Sequence, residues 1–115
     1  MSPDAHGAIG VPSERVRLAA LARDTALAVP GVAGLDAGPT GLFATVGAGI
    51  PVAGVRCLAA PEGGYDLSLR LVCELVPLRP VADHVRAAIE AAAARERLTV
   101  QSVTIVVADV AEDTR

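Results

Sequence analysis

Cys57 and Cys73 are the residues of this chain with the most evident chemical potential, as a disulfide or as two metal ligands. Their spacing favours neither. A turn at 61–64 makes residues 52–60 and 65–75 an antiparallel hairpin, with Cys57 opposite a residue near 67–69 and Cys73 four or more places further on. At about 3.3 Å per residue that offset is roughly 13 Å, and a disulfide needs Cα atoms within about 7 Å. The pair is therefore expected as two free thiols in a reducing compartment, serving as small core side chains. A metal or iron–sulfur role would call for Cys-x-x-Cys spacing, which is absent. His84 falls about 80° from the centre of a helical apolar stripe, at 100° per residue, with no Cys, Asp or Glu at ligand spacing. His6 lies in a Gly- and Pro-rich arm. Gly47-x-Gly49 carries two glycines of a dinucleotide fingerprint, but Pro51 opens a strand where that motif needs a helix. No nucleophile stands beside a base. The reading is non-enzymatic, with no catalytic, metal or cofactor residue.

The elements that position these residues are legible from period and breakers. Ser13 caps a helix over 13–28, with Val16, Ala20 and Leu27, flanked by Leu18, Leu21, Ala22 and Val29, as a broad apolar stripe. Pro30-Gly31 ends it. Residues 31–35 form a short strand, and 36–51 a Gly-rich loop or irregular hairpin. In the strand over 65–75, Leu67, Leu69, Leu71, Cys73 and Leu75 face the core, while Asp66, Ser68, Arg70, Val72 and Glu74 face away. Pro77 breaks that strand. Pro80 suits the first turn of a second helix with Val81, Val85, Ala88, Ile89 and Ala92 on one side. Residues 99–110 are a last strand with Val103, Ile105 and Val107 on one face. The fold class is α+β: two helices packed on one face of a mainly antiparallel three- or four-stranded sheet, in the order α-β-β-α-β, with an extra short strand after the first helix. Residues 1–12 form a flexible arm, 13–110 a single domain and 111–115 a tail.

Helices on one side leave the other sheet face open. Arg56, Leu58, Asp66, Arg70, Val72, Glu74, Thr104 and Val106 lie there in this register. Two readings stand: a solvated face, common in antiparallel sheets, or a docking face, because three aliphatics interrupt the charges. Leu42 and Phe43 at the tip of the Gly-rich segment either fold onto the core or present an anchor to a protein or bilayer. Leu42, Phe43, Arg56, Arg70 and Val72 are the candidate partner-binding residues.

Composition bounds the partners. The chain has 115 residues, 52% of them hydrophobic, enough for one small core. Ten arginines and no lysine oppose thirteen acids, a net charge of −3. With Phe43 and Tyr65 as the only aromatics, neither phosphate contacts nor base stacking is well provided for, so nucleic acid is a poor partner. The Ala-, Val-, Gly-, Arg- and Pro-rich usage matches a GC-rich, actinobacterial genome. Met1-Ser2-Pro3-Asp4-Ala5-His6-Gly7 has neither the basic cluster nor the apolar run of a secretory signal, so the chain is expected in the cytoplasm. No charge occurs between Asp36 and Arg56, but two prolines and five glycines there oppose a membrane-spanning helix.

The ordered series of short motifs resembles the bacterial alkaline shock protein family, also called the envelope stress response family. The series begins with the helix ending Ala26-Leu27-Ala28-Val29-Pro30-Gly31-Val32. It continues through Gly54-Val55-Arg56, Tyr65-Asp66-Leu67-Ser68-Leu69 and Val81-Ala82-Asp83-His84-Val85-Arg86, and closes with Val103-Thr104-Ile105-Val106-Val107-Ala108-Asp109-Val110. The resemblance covers residues 13–110. The chain departs from the family pattern at Glu74-Leu75 (Tyr-Gly in the family), at Arg95-Glu96-Arg97 (a Gly) and at Val103-Thr104-Ile105 (Val-Asn-Val). The resemblance implies a non-enzymatic cytoplasmic protein, peripheral at the inner face of the membrane through a small membrane-anchored partner. It further implies a role in envelope homeostasis and a tendency to form homo-oligomers. The alternative is a small-molecule or iron–sulfur carrier or regulatory domain, since such domains share this α+β order; a coloured or metal-bearing preparation would favour it.

Overall fold

The computed structural model describes residues 13–47, 49 and 51–111. The arm at 1–12 with His6, and residues 112–115 of the tail, lie outside the described residues. Helix α1 is Glu14–Leu27 and α2 is Leu78–Arg95; the strands are β1 Val32–Leu35, β2 Ala44–Thr45, β3 Val52–Ala53, β4 Val55–Ala59, β5 Tyr65–Glu74 and β6 Val100–Ala111. This is the expected α+β architecture, with both helices over one face of the main sheet.

Helix α1 starts where Ser13 Oγ accepts the Val16 amide at 3.2 Å, satisfying one of the free N–H groups of the first turn. Its buried side chains are Val16, Leu18, Ala19, Ala22 and Ala26. Leu27, placed in the stripe by period, is instead 46% exposed, and Ala20 and Leu21 are half-buried. The reason lies in patterning: Glu14, Arg15, Arg17, Arg23 and Asp24 are scattered around the helix among its Ala, Leu and Val, so its pattern does not single out the arc that packs. Helix α2 has the sharper contrast and buries Val81, Val85, Ile89 and Ala92 as expected, together with Ala93, while Ala88 is half-buried. Pro80 is its third residue, where no intrahelical amide is needed.

Helix α2 ends in a left-handed residue. Arg97 has φ 60°, while the Leu98 amide donates to Ala93 O at 2.9 Å and the Arg97 amide to Ala94 O at 3.1 Å. That double bond pattern is the glycine-type C-cap built on an arginine. A side chain costs about 1–2 kcal/mol in this conformation. Arg97→Gly is accordingly expected to raise stability by about 1 kcal/mol, visible as a higher urea midpoint at an unchanged slope.

Strand β5 is the centre of the sheet. Leu67, Leu69, Leu71 and Cys73 are fully buried and Asp66, Ser68, Arg70 and Val72 half-buried, so the period of two translates directly into a core side and an open side. Leu75, read as the last core-facing position, falls beyond the strand and is 77% exposed. β4 pairs antiparallel with the first half of β5 (Cys57 opposite Leu67) and β1 with its second half (Leu35 opposite Leu71). β6 runs parallel to β5 along its whole length, because α2 carries the chain back to the starting end. The segment read as one strand over 52–60 is broken at Gly54, whose φ of 83° separates β3 from β4. β2, from the segment 36–51 read as a loop or irregular hairpin, pairs with β3, the first two residues of the segment read as a strand over 52–60. No described helix is long and apolar enough to cross a membrane.

Candidate functional site

The open sheet face and the Gly-rich loop, separate candidates in the sequence, form one surface. On the face, Leu58 stands opposite Asp66 and Asp66 opposite Ser102; Arg56 is opposite Ser68 and Ser68 opposite Thr104; Arg70 is opposite Val106. The loop after β1 folds back over this ladder. Its turn is closed by Gly41 N–H to Gly38 O at 3.0 Å and Phe43 N–H to Ala37 O at 2.8 Å, and Gly54 N–H donates to Phe43 O at 2.8 Å. These bonds aim the Phe43 ring at the sheet.

Phe43 therefore packs against the open sheet face and not into the core. The Arg56 guanidinium lies 4.7 Å from its ring centre and that of Arg70 5.8 Å. The ring is half-buried under two cations, an arrangement attractive through its quadrupole. Arg70 is also anchored from below: Nε and Nη2 donate to Asp36 Oδ2 at 3.2 and 3.0 Å, and its backbone bonds Asp36 N and Gly54 O. Among the described residues no carboxylate lies within salt-bridge reach of Arg56, so its guanidinium is positioned by Phe43 with its charge unmatched. Leu42, next to Phe43 in the chain, is 73% exposed, Leu58 56% and Val106 43%. Of the five candidate residues, Phe43, Arg56 and Arg70 touch; Leu42 borders them in sequence, and Val72 sits half-buried further along β5, opposite Gly34.

Sequence reading missed Thr45. It is 1% exposed, its hydroxyl donates to Val55 O at 2.7 Å, and the same oxygen accepts the Cys57 amide at 3.0 Å. One side chain thus occupies the outer rim of β4 as a neighbouring strand would. A Thr next to β-branched and small residues in a Gly-rich segment carries no periodic signal that could have revealed this.

Cys57 and Cys73 are buried and unpaired, and Cys57 faces Leu67, six places before Cys73 on β5. No group of three or more His, Cys, Asp or Glu suited to a metal ion stands among the described residues. His84 is exposed on α2. Burial pushes the Cys57 thiol up to about 11 from 9.0, with Arg15 lowering it and Asp66 raising it by less, and burial also raises Cys73. The Tyr65 phenol is raised too, first because it donates to Glu14 Oε1 at 2.9 Å. All three bind their protons more tightly folded than unfolded. Stability is therefore complete below pH 9, where the unfolded thiol is still protonated, and is lost as pH rises toward 11. For Cys57 the loss is on the order of 2 kcal/mol. Urea unfolding at pH 8 and pH 10.5 is expected to show it, with Cys57→Ala flattening the decline; parallel curves for the two proteins would refute this role.

No family model, curated protein or solved structure matches the chain.

Proposed function

We propose that this chain is a non-enzymatic interaction protein of the envelope stress response, of the alkaline shock type its sequence resembles, docking through the sheet face opposite its helices. The observation that carries this reading is the Arg56 guanidinium held over Phe43 with no carboxylate partner among the described residues, on a face that also exposes Leu58 and Val106, with exposed Leu42 next to Phe43 in the chain. A partner with one carboxylate amid aliphatic side chains is complementary to that surface. Aromatic and Arg side chains are the usual carriers of interface energy. In this reading the partner is a small membrane-anchored protein, and the chain sits peripherally on the cytoplasmic face of the membrane.

The test is capture from native membrane fractions with the wild-type chain and with Arg56→Ala and Phe43→Ala. The wild type is expected to retain a membrane protein that Arg56→Ala loses by at least about tenfold, the usual size of a central contact. Arg79→Ala, on the exposed first turn of α2, is expected to behave as wild type. Equal retention by all variants would reject the face as the docking surface.

A further inference from the structure

We propose that two copies of this chain pair antiparallel through the outer edges of their β6 strands, extending the sheet across a two-fold axis. Among the described residues β6 is bonded on one side alone, to β5. A free edge invites another strand, and proteins normally blunt it with Lys, Pro, brevity or cover. β6 has none of the first three: it is twelve residues long, with neither Lys nor Pro. Its cover is slight. Arg86 Nε donates to Val103 O at 3.2 Å, and Asp109 Oδ1 accepts the neighbouring Val110 amide at 2.8 Å, next to the register shift that follows Val107.

Those two contacts delimit the rim. Arg86 marks the Val103 carbonyl as pointing outward, and alternation places the Ile105 and Val107 backbone groups on the same rim. A stretch around Ile105 is thus free, and it carries no charge.

The occupant follows from what else the molecule offers. Thr45 closes the rim of β4, and β1 is four residues long with a register shift inside it. Among the described residues, the long free edge that a copy can present to β6 is another β6. Such an interface is isologous and closes at two subunits. Antiparallel pairing near Ile105 sends the two Asp109 carboxylates to opposite ends of the contact, whereas parallel pairing would stack them against each other. The axis stands perpendicular to the sheet, so all four helices share one side and both Arg56–Phe43 sites the other. The inference does not depend on the docking reading, but it would make that docking bivalent.

Sedimentation equilibrium over a wide concentration range, with wild type, Val106→Lys and Leu75→Lys, tests it. Val106 is exposed on the open face and clear of the helix-side core, while Leu75 is exposed beyond the end of β5. A wild-type monomer–dimer equilibrium is expected, weakened at least about tenfold by Val106→Lys, which sets like charges close to the axis, and unchanged by Leu75→Lys. In the wild type, exchange of the Ile105 amide should slow as protein concentration rises. A strictly monomeric wild type, open-ended association, or a dimer sensitive to Leu75→Lys and indifferent to Val106→Lys with no change at Ile105, each overturns the proposal.

Discussion

Thr45→Val is expected to destabilise the protein by about 2–4 kcal/mol, although it replaces one side chain by another of nearly the same shape. The hydroxyl satisfies Val55 O and Cys57 N together, and both residues are essentially inaccessible to water. Valine leaves one buried acceptor and one buried donor without partners, and each such orphan costs roughly 1–3 kcal/mol. Thr45→Ser keeps the bridge and removes one methyl group, about 0.8 kcal/mol of apolar burial. Thermal unfolding should therefore place Thr45→Ser near wild type and Thr45→Val on the order of 10 °C lower. Equal melting temperatures for the two variants would mean that the rim of β4 is not held by this bridge.

Gly54→Ala should cost about 3 kcal/mol or more and should damage the candidate site at the same time. At φ 83° any side chain is strained, by about 1–2 kcal/mol. The added Cβ would also stand 2.6 Å from Leu35 Cβ and 3.2 Å from Asp36 N. Neither atom can rotate aside, since one roots a side chain and the other donates to Arg70 O. Relief requires the end of β1 to move away from β5, carrying Asp36 off the Arg70 guanidinium. Gly54 also donates to Phe43 O, so the ring would shift from Arg56. Gly34→Ala is the internal control: nothing lies within 4 Å of its Cβ and its φ is ordinary, so an effect within about 1 kcal/mol is expected. Chemical denaturation of both variants, with membrane capture measured alongside, checks the link between backbone and site. Loss of stability in Gly54→Ala with full capture retained would separate the two.

The parts of this fold that were legible from sequence are those whose burial contrast repeats. β5 alternates a Leu-rich face with a polar one over ten residues, and α2 sets five buried residues at helical spacing against Arg79, Asp83 and Glu90. The Pro30-Gly31 break and the Ser13 cap act within a few residues of the chain, so they needed no tertiary knowledge. Where the contrast vanishes, period could not choose: charged and apolar residues are interleaved around α1, and the placing of Leu27 failed for that reason. The candidate site was half legible. Arg56, Arg70 and Val72 followed from strand parity, but the landing place of Phe43 did not, because it depends on a loop whose bonds, Phe43 to Ala37 and Gly54 to Phe43, join residues with no common period. Gly54 lay hidden inside an extended run; its positive φ and the close passage of the end of β1 are both tertiary facts without a periodic signal.

The central claim, that the molecule acts through the outer contour of its sheet, is tested most directly by site-specific photocrosslinking in native cells. A photoreactive residue at Leu58, exposed on the open face, is compared with one at Ala91, exposed on the outer surface of α2. Adducts with a membrane protein from position 58, absent from position 91 and abolished by Arg56→Ala, are the predicted result. Adducts from position 91 with none from position 58 would contradict it.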